Sequence, residues 1–151
     1  MRIVSVHAHP DDAEILAGGN LALLSRLKRE ILIVTLQRRR LRLGDARTGR
    51  DCLDSKSRGD RSAALIGAGY RWCGFRDLAI FSDDPSRRIV TGLLRELRPD
   101  IVLTAAPIDY LCDHEATSQL VRDACFAASI PNYKTPAQSP AKSSGCNSSR
   151  E

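Results

Sequence analysis

No stretch of this chain approaches the roughly 18 consecutive apolar residues of a membrane-crossing helix, so no membrane partner is expected. Nor does a charged-then-apolar leader precede the first strand pattern, and a cytoplasmic location is expected. Aromatic residues amount to only 5%, too few to build the stacking platforms of single-strand nucleic-acid binders. No Gly-x-Gly-x-x-Gly follows the first apolar run, so the dinucleotide-binding loop is missing too. The five cysteines (Cys52, Cys73, Cys112, Cys125 and Cys146) are odd in number, widely spaced and without a Cys-x-x-Cys. They indicate neither a disulfide framework nor a cysteine zinc knuckle, and Cys73 and Cys125 read as small core fillers. Net basic charge is confined to one segment. Between Arg38 and Arg61 stand nine basic and four acidic residues, which accounts for the whole net charge of +5. The rest of the chain is neutral, and no nucleic-acid partner is expected.

What is present is an alternation of strand and helix signals in 151 residues, of which 42% are hydrophobic, enough for one domain with a real core. Arg2 to Val6 is a short β-branched run. From Ala13 to about Arg29 apolar residues recur at helical spacing, interrupted by Gly18-Gly19. Paired glycines cost helix stability, so close approach to the sheet or to a ligand is expected there. Ile31 to Leu36 is a continuous apolar run, as in a strand covered on both faces. From Gln37 to Arg61 neither period survives. Periodicity resumes at Ser62–Ala68, a short helix with Gly69 as its stop. Tyr70–Phe75 alternates as a strand, Pro85–Leu97 reads as a helix, and Asp100–Ala105 is a second strongly buried strand. A last helix runs from about His114 to Ala128, with Asp113 as its N-cap. Such alternation predicts an α/β chain with a mainly parallel sheet.

Two clusters carry the chemistry. Val6-His7-Ala8-His9-Pro10-Asp11-Asp12 stands where the first strand hands over to the first helix. Pro107-Ile108-Asp109-Tyr110-Leu111-Cys112-Asp113-His114-Glu115 stands at the equivalent point of a later strand–helix junction. In a parallel sheet such junctions share one edge, so His114 can meet His9 and Asp12. Two histidines and one carboxylate would leave tetrahedral zinc an open position for water. Asp11 beside them could take that water's proton and pass it to a leaving amine. Taken singly, His9 would be a hydrogen-bonded structural histidine and Asp11 or Asp12 a helix cap. His7 reads as a packing or supporting residue.

His9-Pro10-Asp11-Asp12, after Ala8 and before a Gly-Gly-containing helix, resembles the first motif of the LmbE-like, or PIG-L, de-N-acetylase superfamily. Asp113-His114 with the preceding Pro107–Tyr110 resembles its second. The resemblance covers residues 1–36 and about 62–140. It implies a Rossmann-like three-layer fold and zinc-dependent removal of an N-acetyl group from an amino sugar or glycoconjugate. Carried over by position, His9, Asp12 and His114 would bind Zn2+, Asp11 would be the general base, and Asp113 would orient the site. A homo-oligomer is also plausible by that resemblance.

The chain departs from the family pattern in two places. Many members place a histidine three residues before the second-motif ligand, as acid or oxyanion stabiliser; here Leu111 stands there and can do neither. The arginine-rich segment 37–61 replaces a Gly/Asp/Ser-type loop and an acidic helix. It reads either as a natural basic loop or as a frame-shifted one, since CGA-CGG-CGA read one base later encodes Asp-Gly-Asp. The expected organisation is a single domain over 1–130 and a loose tail over 131–151, with the domain truncated. Besides an active deacetylase, a catalytically impaired remnant and a Rossmann-like nucleotide- or RNA-binding module are the alternatives.

Overall fold

The computed structural model describes residues 1–37 and 50–136. Four strands, β1 (Arg2–His7), β2 (Glu30–Gln37), β3 (Gly69–Phe75) and β4 (Ile101–Thr104), form one sheet in the order β3-β2-β1-β4. Every pairing is parallel, with Val6 opposite Val34 on one side and Thr104 on the other. Four helices, α1 (Asp12–Arg26), α2 (Arg50–Leu65), α3 (Asp84–Leu97) and α4 (Cys112–Ala128), alternate with the strands.

Strand alternation sorts the core into two faces. Val4, Val6, Val34 and Leu36 pack with Val90, Leu93, Leu94, Leu97, Leu120, Val121 and Ala124 of α3 and α4. Ile3, Ile31 and Ile33 face the other way, towards Ala13 and Leu21 of α1 and Ala63 of α2. A sheet sandwiched between two helix layers is the three-layer α/β fold expected; the central strands β1 and β2 are largely buried, while β3 and β4, at the edges, are only partly so, and β4 is less buried than its apolar run suggests. The chain leaves β1 towards β2 on one side and returns to β4 on the other. The carboxyl ends of β1 and β4 therefore flank the point where strand order reverses, the usual ligand crevice of such sheets.

Local signals explain most boundaries. The Asp83 carboxylate accepts the Ser86 N–H at 2.9 Å, with Pro85 in the first turn of α3, an arrangement that contributes about 1 kcal/mol. Arg98 ends α3 in the left-handed region at φ 48°, ahead of Pro99.

Several expectations are corrected. The aperiodic segment 37–61 is ordered further than its sequence suggests: Gln37 is the buried last residue of β2, and α2 begins at Arg50. Within α2, Ala63 packs on the core. Residues 38–49, where the rest of that segment lies, are outside the described residues. The stop after α2 is Gly67, at φ +68°, and not Gly69, which opens β3. Gly18 and Gly19 make no close approach: a Cβ on Gly19 would meet nothing within 4 Å. Ile15, Leu16, Leu23 and Leu27 are exposed, so α1 packs through Ala13 and Leu21 with Ala17 and Leu24. Cys73 packs against the core, but Cys125 is exposed.

The tail is not loose from 131. Arg95 of α3 donates to the carbonyls of Ala127, Ala128, Ile130 and Tyr133, closing the C-terminus of α4 and fastening the chain beyond it. Tyr133 donates its hydroxyl to Asp84 at 2.9 Å and lies under the Arg88 guanidinium, 4.6 Å from the ring centre. Residues 137–151 lie outside the described residues. Among the described residues no helix is long and apolar enough to cross a membrane.

Candidate metal centre

The Asp-Asp pair after Pro10 divides its work. Asp11 is the N-cap residue of α1, and its side chain makes no capping bond to the helix backbone. Asp12, the first helical residue, turns inward and accepts the His9 backbone N–H at 2.8 Å. That bond folds the turn after β1 so that the His9 ring and the Asp12 carboxylate face the same point.

From the β4 side, His114 in the first turn of α4 reaches it too. His9 Nδ1 and His114 Nε2 are 3.2 Å apart, and Asp12 Oδ2 lies 3.3 Å from the first and 3.2 Å from the second. All three residues are buried, and their donor atoms form a group able to hold a metal ion. The structure thus brings His9, Asp12 and His114 together.

The far nitrogens of both rings face carboxylates. His114 Nδ1 is 3.0 Å from Asp109 Oδ2. His9 Nε2 is 3.6 Å from Asp113 Oδ2 and 3.7 Å from Asp77 Oδ1. A carboxylate accepts only, so each favours the tautomer with the proton on the far nitrogen and a lone pair aimed at the centre. Asp109 is itself held by the Leu111 N–H at 2.9 Å.

Asp113 does not cap α4, as its position before His114 suggests. Leu111 is the N-cap residue, and Asp113 lies buried in the first turn, accepting the Leu78 N–H at 2.9 Å. It stands beside His9 Nε2. The sequence alone does not single out Asp77 and Asp109. Both follow a strand at the same edge as the two clusters, and that placement is the available signal.

The charges reinforce one another. Burial opposes charge on His9, but the hydrogen bond and charge of Asp12, backed by Asp113 and Asp77, outweigh it and raise its pKa. Burial likewise opposes charge on Asp12. Its hydrogen bonds from His9, and the nearby His9 and His114, still hold it below the usual carboxylate range. The Leu111 N–H, and then His114, lower Asp109. His7, 2% exposed, is different: burial dominates and lowers its pKa. It shares a 2.8 Å hydrogen bond with Ser5, a supporting role within β1.

The chain is similar to known proteins in sequence and in fold. The GlcNAc-PI de-N-acetylase (PIG-L) family profile matches residues 4–125. Among solved structures, the N,N'-diacetylchitobiose deacetylase of Pyrococcus horikoshii is 25% identical with a TM-score of 0.80, covering 87% of this chain and 52% of its own. A conserved protein of Thermus thermophilus is 25% identical at a TM-score of 0.78, covering 90% of this chain and 60% of its own. The 4-carboxy-2-hydroxymuconate hydratase of Pseudomonas putida shares the fold at 22% identity and a TM-score of 0.78, covering 89% of this chain and 59% of its own. The chain therefore spans between 52% and 60% of the length of these three proteins. With a family profile matching most of its length and deacetylases among its structural neighbours, the chain belongs to the GlcNAc-PI de-N-acetylase (PIG-L) family.

Proposed function

We propose that this chain is a zinc-dependent hydrolase that removes the N-acetyl group of an amino-sugar conjugate. The observation that carries the reading is the donor triangle of His9 Nδ1, Asp12 Oδ2 and His114 Nε2, with sides of 3.2–3.3 Å. A tetrahedral ion about 2.0–2.1 Å from its nitrogen and oxygen donors holds them about 3.3 Å apart, so the triangle has the edge length zinc requires. Two neutral imidazoles and one carboxylate also match the ligand set of hydrolytic zinc sites, which keep a fourth position open. Zinc held there would supply a Lewis acid for the acyl carbonyl and acidify the attacking water.

The other roles belong to the chain's own side chains. Asp11, adjacent to the ligand Asp12 and partly exposed, takes the proton of the attacking water and delivers it to the amine as the C–N bond breaks. Asp109 holds His114 in its ligating tautomer, and Asp113 and Asp77 do the same for His9. Membership in the family and the deacetylase among its relatives support the amino-sugar substrate.

A second reading, a metal-binding chain without turnover, is favoured by Leu111, which supplies neither acid nor oxyanion donor. One experiment separates them. The zinc-loaded chain is assayed for free amine released from N-acetylglucosamine and its conjugates, beside an Asp11→Asn variant. Release by the parent and a fall of at least about a hundredfold in the variant support the hydrolase. Bound zinc with no release from any conjugate supports the second reading.

A further inference from the structure

Several residues around the C-terminal half of α1 are kept against the stability of the fold. Gly19 stands inside the helix, where alanine is better by about 1 kcal/mol. An added Cβ there would meet nothing within 4 Å, so no neighbour among the described residues requires a glycine. Lys28, just past the helix, has φ 58°, a left-handed position ordinarily filled by glycine or asparagine. Leu23 and, in α2, Leu65 are 58% and 88% exposed. Taken one at a time, an exposed leucine is ordinary surface, and a cation near a helix C-terminus suits its dipole.

All four residues line one groove. It lies between the C-terminal half of α1 and the end of α2, has a volume of about 630 Å³, and is also lined by Ala22 and Ile66. That volume is typical of a small-molecule site. The Ser25 hydroxyl donates to the Ile66 carbonyl and ties the two walls together. Arg26 and Lys28 supply the groove's charge, and among the described residues no carboxylate lines it. The end of the helix does not need them: the Leu27, Lys28 and Arg29 N–H groups already donate to the carbonyls of Leu23, Ser25 and Leu24. The groove stands beside the amino ends of β2 and β3, which begin at Glu30 and Gly69. The metal centre is at the opposite edge of the sheet.

We infer that this groove binds a single alkyl chain with an anionic head, of the fatty-carboxylate class. The chain lies over Gly19 between Leu23, Leu65 and Ile66, and the head meets Arg26 and Lys28. Gly19 leaves open the space the chain fills, and Lys28 puts an ammonium where glycine would leave none. From Gly19 to Lys28 the helix rises about 13 Å, the reach of a chain of about ten carbons. Two cations without a carboxylate select an anionic head over a cationic or neutral one. The inference does not rest on the hydrolase reading.

Calorimetry on the full chain compares decanoate with decyltrimethylammonium, which has a similar chain and the opposite charge, and with acetate, which has the head alone. Decanoate should saturate at one per chain, about tenfold tighter than the cation and more than about tenfold tighter than acetate. Lys28→Gly and Arg26→Gln should each cut the preference for decanoate over the cation by about twofold to fivefold. Gly19→Leu should weaken decanoate by about tenfold or more by filling the groove. Neither Gly19→Leu nor Lys28→Gly should lower Tm, since each replaces a residue its backbone position disfavours. Equal binding of decanoate and the cation overturns the inference, as does decanoate binding unchanged in Gly19→Leu. A fall in Tm in both of those variants also overturns it, because the two residues would then serve the fold. No binding of decanoate overturns it as well, and binding to anionic phospholipid vesicles in that case points to a membrane surface instead.

Discussion

His9 Nδ1 and His114 Nε2 lie 3.2 Å apart although 105 residues separate them. No local signal brings them together. They meet because β1 and β4 are parallel neighbours, so the turns leaving both strands open on the same edge of the sheet. Asp12 closes the triangle by folding back on the His9 backbone.

The tautomer argument predicts a graded loss when a supporting carboxylate is removed. Asp109→Asn keeps a side chain of the same size beside His114 Nδ1 but no longer a full acceptor charge. Zinc affinity should fall by about 10–100-fold with the fold retained, the usual cost of losing such a partner. Competition titration against a chelating indicator measures this. Unchanged affinity would show that Asp109 does not set the ligating nitrogen.

Two helical glycines should respond oppositely to the same change. Gly19 is in α1, where an added Cβ would stand in open space, so Gly19→Ala should stabilise the protein by about 1 kcal/mol. Gly59 is in α2, where a Cβ would overlap the Tyr70 ring. That ring is held by a 2.8 Å hydrogen bond between its hydroxyl and Thr35. Gly59→Ala should therefore destabilise by about 1–3 kcal/mol despite the better helix propensity. Denaturant unfolding of both variants tests the pair. Destabilisation by Gly19→Ala would mean that something packs on that face of α1.

Burial pushes the Cys73 thiol up to about 12. At pH 8 only about one part in ten thousand is thiolate, the reactive form. Cys112 is exposed and should be alkylated in the native protein ahead of Cys73, which is modified only on unfolding. Peptide mapping after a short labelling pulse checks the order. Early labelling of Cys73 would show that β3 opens readily.

The centre is legible in the sequence because its ligands obey a simple rule: polar residues directly after apolar strands. His9, Asp12 and His114 follow that rule in clusters. Asp77 follows it as well but stands alone among loop residues, and Asp109 lies in the second cluster without any local mark of its role. Only the distances to His9 and His114 distinguish them. Asp113 reads as a cap because a carboxylate beside a helix start has the same local signature whether it faces the backbone or the core. The early turns of α2 escape because Arg50 to Arg61 holds no apolar residue besides Cys52 and Leu53, so no hydrophobic period can be read there. Leu78, at φ 56°, carries no sequence signal at all, since nothing in Arg76-Asp77-Leu78-Ala79 announces a positive φ.

The triangle of His9, Asp12 and His114 is proposed as a zinc site. Its most direct test is the metal content of the purified chain and of His114→Ala after equilibration with zinc and removal of the excess. One zinc per parent chain and none in the variant, with circular dichroism unchanged, is the predicted result. A parent chain that holds no zinc, or a variant that holds it as tightly, would contradict the account.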